Sequence, residues 1–215
     1  MTQGLAIYGG FEGTEVMLDQ RDWNTNITIL SGDINGDDIA DDFDNFRTDN
    51  VAHVLWLSGG DNILDGIVIT GGQASLDIAP TTTVANLTIE NYAPYSGGGC
   101  YITSNSEIRN CTFRQCNGRY GAALEADSVA VFVLEDCIFE NNNSIEGTAG
   151  IGWMDNPIIR NCHFENNDAQ FRGSGLSLKF TNGLVEDCTF QNNVCLLYTS
   201  PSPRDATLSR MPSSA

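Results

Sequence analysis

A six-residue motif occurs four times in this chain of 215 residues, at Ile108–Phe113, Leu134–Phe139, Ile159–Phe164 and Val185–Phe190. Each copy has an aliphatic residue, two polar residues, a cysteine, one variable residue and a phenylalanine. The cysteines stand at 111, 137, 162 and 188, so the steps are 26, 25 and 26 residues. A fixed period of this size indicates a solenoid, in which each repeat is one coil that buries its apolar side by stacking on the next coil.

The motif also indicates how one coil is built. Cys111 and Phe113 are two residues apart and therefore share one face of a strand. Ile108 can point to the same side only if the chain bends before Cys111, and Asn or Asp occupies that corner in all four copies. We therefore predict an all-β fold, a right-handed parallel β-helix solenoid.

Other segments extend this pattern along the chain. Segments 64–69 and 84–89 fit the motif, with Ile67 and Leu87 in the cysteine position, which raises the prediction to about six coils. A further strand, such as Cys100–Ile102, follows a small residue in each repeat. The expected coil thus has three strands.

Two rows of equivalent residues are predicted to stack along the solenoid as structural ladders. The cysteine row runs along a line at about 4.8 Å per coil, whereas tetrahedral zinc needs cysteine pairs that converge on one point. We expect buried free thiols, with disulfides between adjacent coils as the alternative. The asparagine amides can bond their equivalents on the coils above and below. The ladder residues are Cys111, Cys137, Cys162, Cys188, Asn91, Asn117, Asn142, Asn167 and Asn193.

The chain is strongly acidic, with 28 acidic and 10 basic side chains and a formal net charge of −18. Such a surface repels nucleic acid and anionic membranes, so neither is expected as a partner. No apolar run approaches the roughly 20 residues that a membrane-spanning helix needs, so we predict no membrane span. Cations, above all Ca²⁺, are the ligands expected to bind to such an acidic surface. The alternative is that the charge only keeps an extracellular protein soluble.

The strongest chemical signal is the acidic segment 33–44, in which oxygen-bearing side chains alternate. Its residues at positions 1, 3, 5, 9 and 12 of an EF-hand-like spacing are Asp33, Asn35, Asp37, Asp41 and Asp44. The sixth position is not glycine and the twelfth is not glutamate, which excludes a helix-flanked EF-hand. We predict a Ca²⁺-binding loop from these five residues, with a solvated acidic loop between strands as the alternative.

Aromatic side chains near corners or on strand faces are candidates for polysaccharide binding, because an aromatic ring can stack on the apolar face of a sugar. The predicted ligand-binding residues are Tyr92, Tyr95, Tyr101, Tyr120 and Trp153. The alternative is that these rings pack in the core or at corners.

An outward row of alternating charge follows the motif copies, formed by Arg109, Glu135, Arg160 and Glu186. Neighbours of opposite sign attract, so we expect this row to set the register of the coils. The alternative is that Arg160 and the neighbouring Glu165 are the base and acid of a lyase, but no cluster of aspartates faces the same row. We assign no catalytic residue.

Segments Tyr8–Glu15 and Arg21–Asp38, together with the repeated coils, resemble bacterial right-handed β-helix repeat proteins. These belong to the pectin-lyase-like superfamily, and their repeats are similar in style to those of chlamydial polymorphic outer-membrane proteins. The resemblance covers about residues 5–194 and implies an extracellular or cell-surface location. The superfamily includes polysaccharide lyases, hydrolases, adhesins and passive stalks, so the resemblance implies no single activity.

The expected function is therefore a binding or adhesion scaffold for polysaccharide within an exported or cell-surface protein. A Ca²⁺-dependent polysaccharide lyase or glycoside hydrolase is one alternative, and a passive structural stalk is the other. Residues 1–6 lack the basic start and apolar stretch of a signal peptide, so we expect the export signal to lie outside this fragment.

The last residues, 195–215, lack the repeat and contain three of the six prolines. Segments 195–205 and 209–215 back-translate to DNA that looks like a sequencing adapter read in frame. The alternative is a disordered linker after the last coil. We expect strands and an acidic loop that begin the β-helix in 1–50, coils in 51–194, and a non-native tail in 195–215 that truncates the solenoid.

Overall fold

The computed structural model describes residues 4–74, 95–154, 156–180 and 182–196, which contain 22 short strands and a 3₁₀ turn at Leu18–Gln20. Sheet 1 consists of β1 (Ala6–Tyr8), β4 (Asn62–Asp65), β8 (Ser106–Arg109), β12 (Phe132–Glu135), β16 (Ile158–Arg160) and β20 (Leu184–Glu186). Sheet 2 consists of β2 (Thr28–Ser31), β5 (Ile67–Thr70), β9 (Thr112–Arg114), β13 (Ile138–Glu140), β17 (His163–Glu165) and β21 (Thr189–Gln191). Sheet 3 consists of β6 (Gln73–Ala74), β10 (Asn117–Tyr120), β14 (Asn143–Glu146), β18 (Asp168–Arg172) and β22 (Val194–Cys195). Sheet 4 consists of β3 (Leu55–Leu57), β7 (Cys100–Ile102), β11 (Leu124–Ala126), β15 (Ala149–Met154) and β19 (Leu176–Phe180).

All of these strands pair in parallel with the equivalent strand of the next coil. One coil runs through β7, β8, β9 and β10, and the chain then enters β11, which lies directly on β7. The register keeps like residues together, since Leu134 lies opposite Ile108 and Phe139 lies opposite Phe113. This coil-on-coil pairing confirms the parallel β-helix that the repeat predicts.

The number of strands per coil was predicted wrongly, because each coil has four strands rather than three. The motif itself is divided between sheets 1 and 2 by a residue with positive φ, such as Asn110 (φ 52°) or Asp136 (φ 54°). A second such residue, Gln115 in one coil and Asn141 in the next, separates sheets 2 and 3. A residue with a left-handed backbone conformation changes the direction of the strand and interrupts its backbone hydrogen bonds, so one predicted strand becomes two.

The described residues form six coils, but the first of these is not one of the six coils that were predicted from the motif. The segment 64–69 forms β4 and β5 around Gly66 and has Ile67 in the cysteine position, as predicted. The first coil is instead formed by β1 and β2, which pair with β4 and β5. The predicted coil at 84–89 lies outside the described residues, and the described coils before and after it in sequence stack directly on each other.

The core is filled by repeated rows of buried side chains. Phe113, Phe139, Phe164 and Phe190 form one stack, with ring centroids 4.8 to 4.9 Å apart and nearly parallel planes. The first three rings are fully buried, and Phe190 in the last coil is exposed. The described cysteines are free thiols, and those of the first three motif copies are buried. Burial raises the pKa of Cys137 well above its ordinary value, so its thiol stays protonated and donates to the carbonyl oxygen of Ile108 at 3.7 Å.

A buried amide ladder runs beside the cysteine row. Asn142 donates its side-chain N–H to Oδ1 of Asn167 at 3.0 Å, and Asn167 donates to Oδ1 of Asn193 at 2.9 Å. Each of these amides also donates to a backbone carbonyl of the preceding coil, and each Oδ1 accepts a backbone amide. The polar groups at this corner of the core therefore satisfy one another.

Asn117 does not belong to this row, contrary to the prediction, because it is one position out of register. It lies opposite Asn143, and its side chain accepts a 3.3 Å bond from that residue on the half-buried side. The ladder position in its coil is occupied by Cys116, whose backbone amide donates to Oδ1 of Asn142. Asn91 lies outside the described residues.

The outward charged row runs along sheet 1. Glu135 accepts from Arg109 at 3.0 Å and pairs with Arg160 at 3.3 Å, and Arg160 also pairs with Glu186. These four residues thus link four successive coils through alternating charges. Arg160 forms ion pairs with two carboxylates, and this arrangement favours a role in setting the register of the coils.

No helix within the described part of the chain has both the length and the apolar character needed to cross a membrane.

Candidate functional site

The outer face of sheet 4 carries a cluster of three rings. Side chains alternate along β3 and β7, so Leu55 and Leu57 point toward the core while Trp56 points outward. Parallel pairing then aligns Trp56 with Tyr101 on the next coil. His53 lies just before β3 and adds the third ring. We call His53, Trp56 and Tyr101 the aromatic cluster.

The rings of the aromatic cluster support one another. Tyr101 stacks on His53 with ring centroids 5.8 Å apart, and Trp56 meets both rings edge to face at 5.7 and 6.0 Å. His53 is further fixed by a 3.1 Å contact between Nδ1 and the carbonyl oxygen of Gly97. Trp56 is 39% exposed whereas Tyr101 is only 7% exposed. The indole is therefore the more accessible ring for a ligand to stack on, and the tyrosine supports it through their edge-to-face contact.

Glu125 continues the outward row of sheet 4 beyond Tyr101. It lies opposite Tyr101 on one side and Gly150 on the other. Burial raises the pKa of Glu125 to about 8, and the charges of Asp127 and Glu146 add to the rise while Lys179 opposes it. This shift favours the protonated form of the carboxyl group near neutral pH.

The predicted aromatic residues do not form one surface. Tyr101 lies on sheet 4, whereas Tyr120 lies on β10 of sheet 3, where the Arg119 guanidinium is 5.3 Å from its ring centroid. Tyr95 is half-buried and precedes Ser96, which bridges to Tyr120. The backbone of Trp153 lies in β15 opposite Lys179, and Tyr92 lies outside the described residues.

The sequence analysis missed Trp56 and Glu125. Trp56 lies 45 residues before Tyr101, well outside the period of 25 or 26, so the repeat does not align the two. The in–out–in pattern of Leu-Trp-Leu at 55–57 is the local signal that could have revealed an outward indole. Glu125 has no such signal, since many outward strand positions carry glutamate.

The acidic loop between β2 and β3 brings three carboxylates together. Oxygen atoms of Asp33, Asp37 and Asp49 lie within 4.8 Å of one another. Burial disfavours ionisation of Asp33, but backbone amides of Asp38, Gly36 and Asp37 outweigh it and lower its pKa. Asn35 contributes its backbone amide, which donates to Oδ2 of Asp49 at 2.8 Å. Asp49 was missed because it lies outside the EF-hand-like spacing.

The remaining predicted calcium ligands are not in this group. Asp41 forms two hydrogen bonds with Gln115, at 2.7 and 2.9 Å, which attach the loop to the solenoid. Asp44 donates its backbone amide to Oδ1 of Asp42 at 3.1 Å. Among the described residues, the three-carboxylate group thus contains two of the five predicted ligands together with Asp49.

A buried arginine fastens the acidic loop to the coils. Arg47 donates to the carbonyl oxygens of Asp42 and Gln115 at 3.1 and 3.0 Å and pairs with Asp38 at 3.5 Å. Its guanidinium also lies 4.7 Å from the ring centroid of Phe43. Burial raises the pKa of Asp38. Between loop and coils lies a polar cavity of about 400 Å³, with Arg114 and Glu140 in its wall.

Comparison with known proteins identifies the architecture. No curated protein and no solved structure matches the chain. A family profile described as "Right handed beta helix region" matches residues 42–209, which is most of the chain. Together with the parallel pairing of six successive coils, this match shows that the chain belongs to the family of right-handed β-helix proteins.

Proposed function

We propose that this chain is a polysaccharide-binding scaffold of an exported or cell-surface protein, and that the outer face of sheet 4 holds the polymer. The observation that carries the proposal is the aromatic cluster, in which a 39% exposed indole is braced by two other rings. An aromatic group that is already fixed loses little side-chain entropy when a ligand stacks on it.

The solenoid supports the choice of a polymeric ligand. Successive coils repeat at about 4.8 Å, so the outer face of a sheet is a long surface rather than one deep pocket. Stacking a sugar ring on Trp56 removes apolar surface from water, which contributes on the order of 2 kcal/mol for an aromatic side chain of this size.

Affinity gel electrophoresis against a panel of soluble polysaccharides tests the proposal. We expect at least one polymer to retard the wild-type protein, and Trp56→Ala to weaken that retardation at least tenfold. Phe11→Ala is the matched control, because Phe11 is 45% exposed but lies on the loop after β1. Absence of retardation by every polymer, or equal retardation of wild type and Trp56→Ala, would overturn the proposal.

The enzyme and stalk alternatives give different outcomes in the same panel. A Ca²⁺-dependent lyase or a hydrolase would release new sugar ends during incubation. A passive stalk would show neither retardation nor new ends. The guanidinium groups of Arg109 and Arg160 are engaged with glutamates on sheet 1, which gives the lyase alternative no available base on that row.

Ca²⁺ binding by the acidic loop stays a proposal of its own. Its support is the approach of the Asp33, Asp37 and Asp49 carboxylates, which repel one another unless a cation lies between them. Calorimetry should detect Ca²⁺ binding tighter than about millimolar, the weak end of extracellular calcium modules. The double variant Asp33→Ala/Asp37→Ala should lose it, whereas Asp19→Ala should not. Equal heats for all three proteins would end the proposal.

A further inference from the structure

The cysteine row has one end that is open to solvent. The described cysteines are free thiols, and Cys162 is buried whereas Cys188, in the last coil, is partly exposed. Both lie at the corner between sheets 1 and 2, directly after a residue with positive φ. Cys111 and Cys137 lie deeper along the row and are buried. A small ion can therefore reach the row from solvent at Cys188.

The pairing of the last two coils holds Cys162 and Cys188 at equivalent positions. Before the corner β16 pairs with β20, and after it β17 pairs with β21, both in parallel and without a shift in register. The two cysteines stand directly before β17 and β21. Equivalent positions on adjacent parallel strands are about 4.8 Å apart.

The sulfur atoms of the row also share one orientation. Sγ of Cys162 lies 3.1 Å from the carbonyl oxygen two residues earlier and 3.6 Å from a carbonyl oxygen of the preceding coil. The corresponding distances for Cys188 are 3.3 and 3.9 Å. Cys111 and Cys137 repeat this pattern. Because the four thiols adopt the same arrangement, their Sγ atoms follow one another along a line.

A spacing of about 4.8 Å discriminates among the linkages that two thiols can form. A disulfide needs Cβ atoms about 3.5 to 4.5 Å apart, which is shorter than this spacing. Tetrahedral zinc needs four ligands that converge on one point. A soft cation bound linearly by two thiolates separates the sulfurs by two bonds of about 2.3 Å, the length of a zinc–thiolate bond, or about 4.6 Å in total. Of the three linkages, the linear one fits the row.

The surroundings of the pair favour a linkage without net charge. Cys162 belongs to the hydrophobic core, and Cys188 packs against that core. A buried anion would be costly there, all the more in a chain that carries a net charge of −18. Two thiolates and one divalent soft cation such as Hg²⁺ form a neutral group, whereas a monovalent cation such as Cu⁺ leaves one negative charge.

We propose that Cys162 and Cys188 form a two-coordinate site for a soft divalent metal cation at the open end of the cysteine row. Binding breaks the two S–H bonds, releases both protons to solvent and forms two metal–sulfur bonds, so the step needs neither an oxidant nor a reductant. The metal links the last two coils. This inference does not depend on polysaccharide binding, because no residue of the aromatic cluster takes part.

Retention of mercury by the reduced protein tests the site. One equivalent of Hg²⁺ is added, the protein is passed through gel filtration in excess glutathione, and the bound metal is counted by native mass spectrometry. We expect wild type to keep one Hg²⁺ per chain, because two fixed thiols chelate the cation whereas each glutathione molecule supplies a single thiol. Zn²⁺ added in the same way should be lost.

Variants locate the site within the chain. Cys162→Ala and Cys188→Ala should each retain at least about tenfold less mercury than wild type, because each leaves a single thiol at the site. Cys137→Ala is the matched control, since it removes a thiol of the same row outside the pair. Cys195→Ala removes the other partly exposed thiol. Both controls should retain mercury as wild type does, and circular dichroism checks that every variant is folded.

X-ray absorption at the mercury edge measures the geometry of the bound metal. We expect two sulfur neighbours at about 2.3 Å and no further ligand. Mercury that is retained by Cys162→Ala or Cys188→Ala, lost from either control, or bound by three or more ligands would overturn the site. A disulfide between Cys162 and Cys188 in air-exposed protein, found by peptide mapping, would also overturn it, because the sulfurs would then be closer than a linear metal site requires. None of these results bears on polysaccharide retardation, which is measured separately.

Discussion

Sheets 1 and 2 repeat the same residues from coil to coil, whereas the outer row of sheet 4 changes at every coil. In sheets 1 and 2, phenylalanine stacks on phenylalanine and arginine pairs with glutamate over four successive coils. The outward row of sheet 4 instead contains, in order, Trp56, Tyr101, Glu125, Gly150 and Ser177.

The difference separates two tasks of one solenoid. A row of like residues satisfies itself by stacking, so its side chains are occupied by their equivalents on adjacent coils. A row that changes at each coil leaves unlike groups side by side, which is what recognition of a ligand needs. If this division is right, substitutions in the repeated rows should reduce stability, and substitutions on sheet 4 should affect binding.

The largest loss of stability is expected in the phenylalanine stack. Phe139→Ala should lower the free energy of unfolding by about 4 kcal/mol, because a fully buried ring is replaced by a cavity between two stacked neighbours. Urea denaturation followed by circular dichroism measures this. Phe171→Ala is the control, since Phe171 is 46% exposed on β18 and should cost less than about 1 kcal/mol. Similar losses for both variants would contradict the proposed division.

A smaller but still large loss is expected in the amide ladder. Asn167→Ala leaves the carbonyl oxygen of Phe139 and the backbone amide of Asn142 without their buried partners, which should cost about 3 kcal/mol. Asn143→Ala removes a half-buried amide whose bond to Asn117 is 3.3 Å long, and should cost less than about 1 kcal/mol. Urea midpoints for the two variants should therefore differ clearly, and equal midpoints would argue against the ladder.

On sheet 4, stability should depend on pH through Glu125. The folded protein holds this proton up to about pH 8, whereas the unfolded chain releases it near the ordinary value of 4.5. The stabilisation is therefore complete below about pH 4.5, falls as pH rises toward 8, and is then constant. Over this window wild type should lose on the order of 1–2 kcal/mol relative to Glu125→Gln, since solvent screens a half-buried group. A constant difference between the two proteins from pH 4 to 9 would contradict the shifted pKa.

The smallest effect is expected in the outward charged row. Glu135→Gln removes the carboxylate between Arg109 and Arg160 and should cost about 0.5 kcal/mol, because both guanidinium groups are well exposed. The loss should disappear at 1 M salt, where charges are screened within about 3 Å. An effect that persists at high salt would mean that Glu135 stabilises the coils by packing instead of by charge.

Much of the fold was predictable because the repeat is a local signal. The spacing of Cys111, Cys137 and Cys162 predicted the coil period, and the asparagine and aspartate corners coincide with left-handed residues such as Asn110 and Asp136. The prediction failed where one residue of register matters. Asn117 and Cys116 both fit the spacing, and only the pairing of β10 with β14 shows that Cys116 has the ladder position.

The candidate site was predicted less well for a related reason. Tyr101 was selected, but Trp56 joins it only because β3 pairs with β7 across a long interruption of the repeat. The calcium prediction depended on spacing within one segment, and it missed Asp49, which the loop brings to Asp33 and Asp37 by folding back.

The repeat is enough to predict the stacked architecture, since steps of 25 or 26 residues between similar motifs are satisfied by coils that lie on one another. Which unlike residues become neighbours on the outside follows instead from the strand pairing of the folded chain. The row of Trp56, Tyr101 and Glu125 depends on which strand pairs with which after segments of unequal length. Pairing is set by the burial of the whole core, and no local pattern around these three residues contains that information.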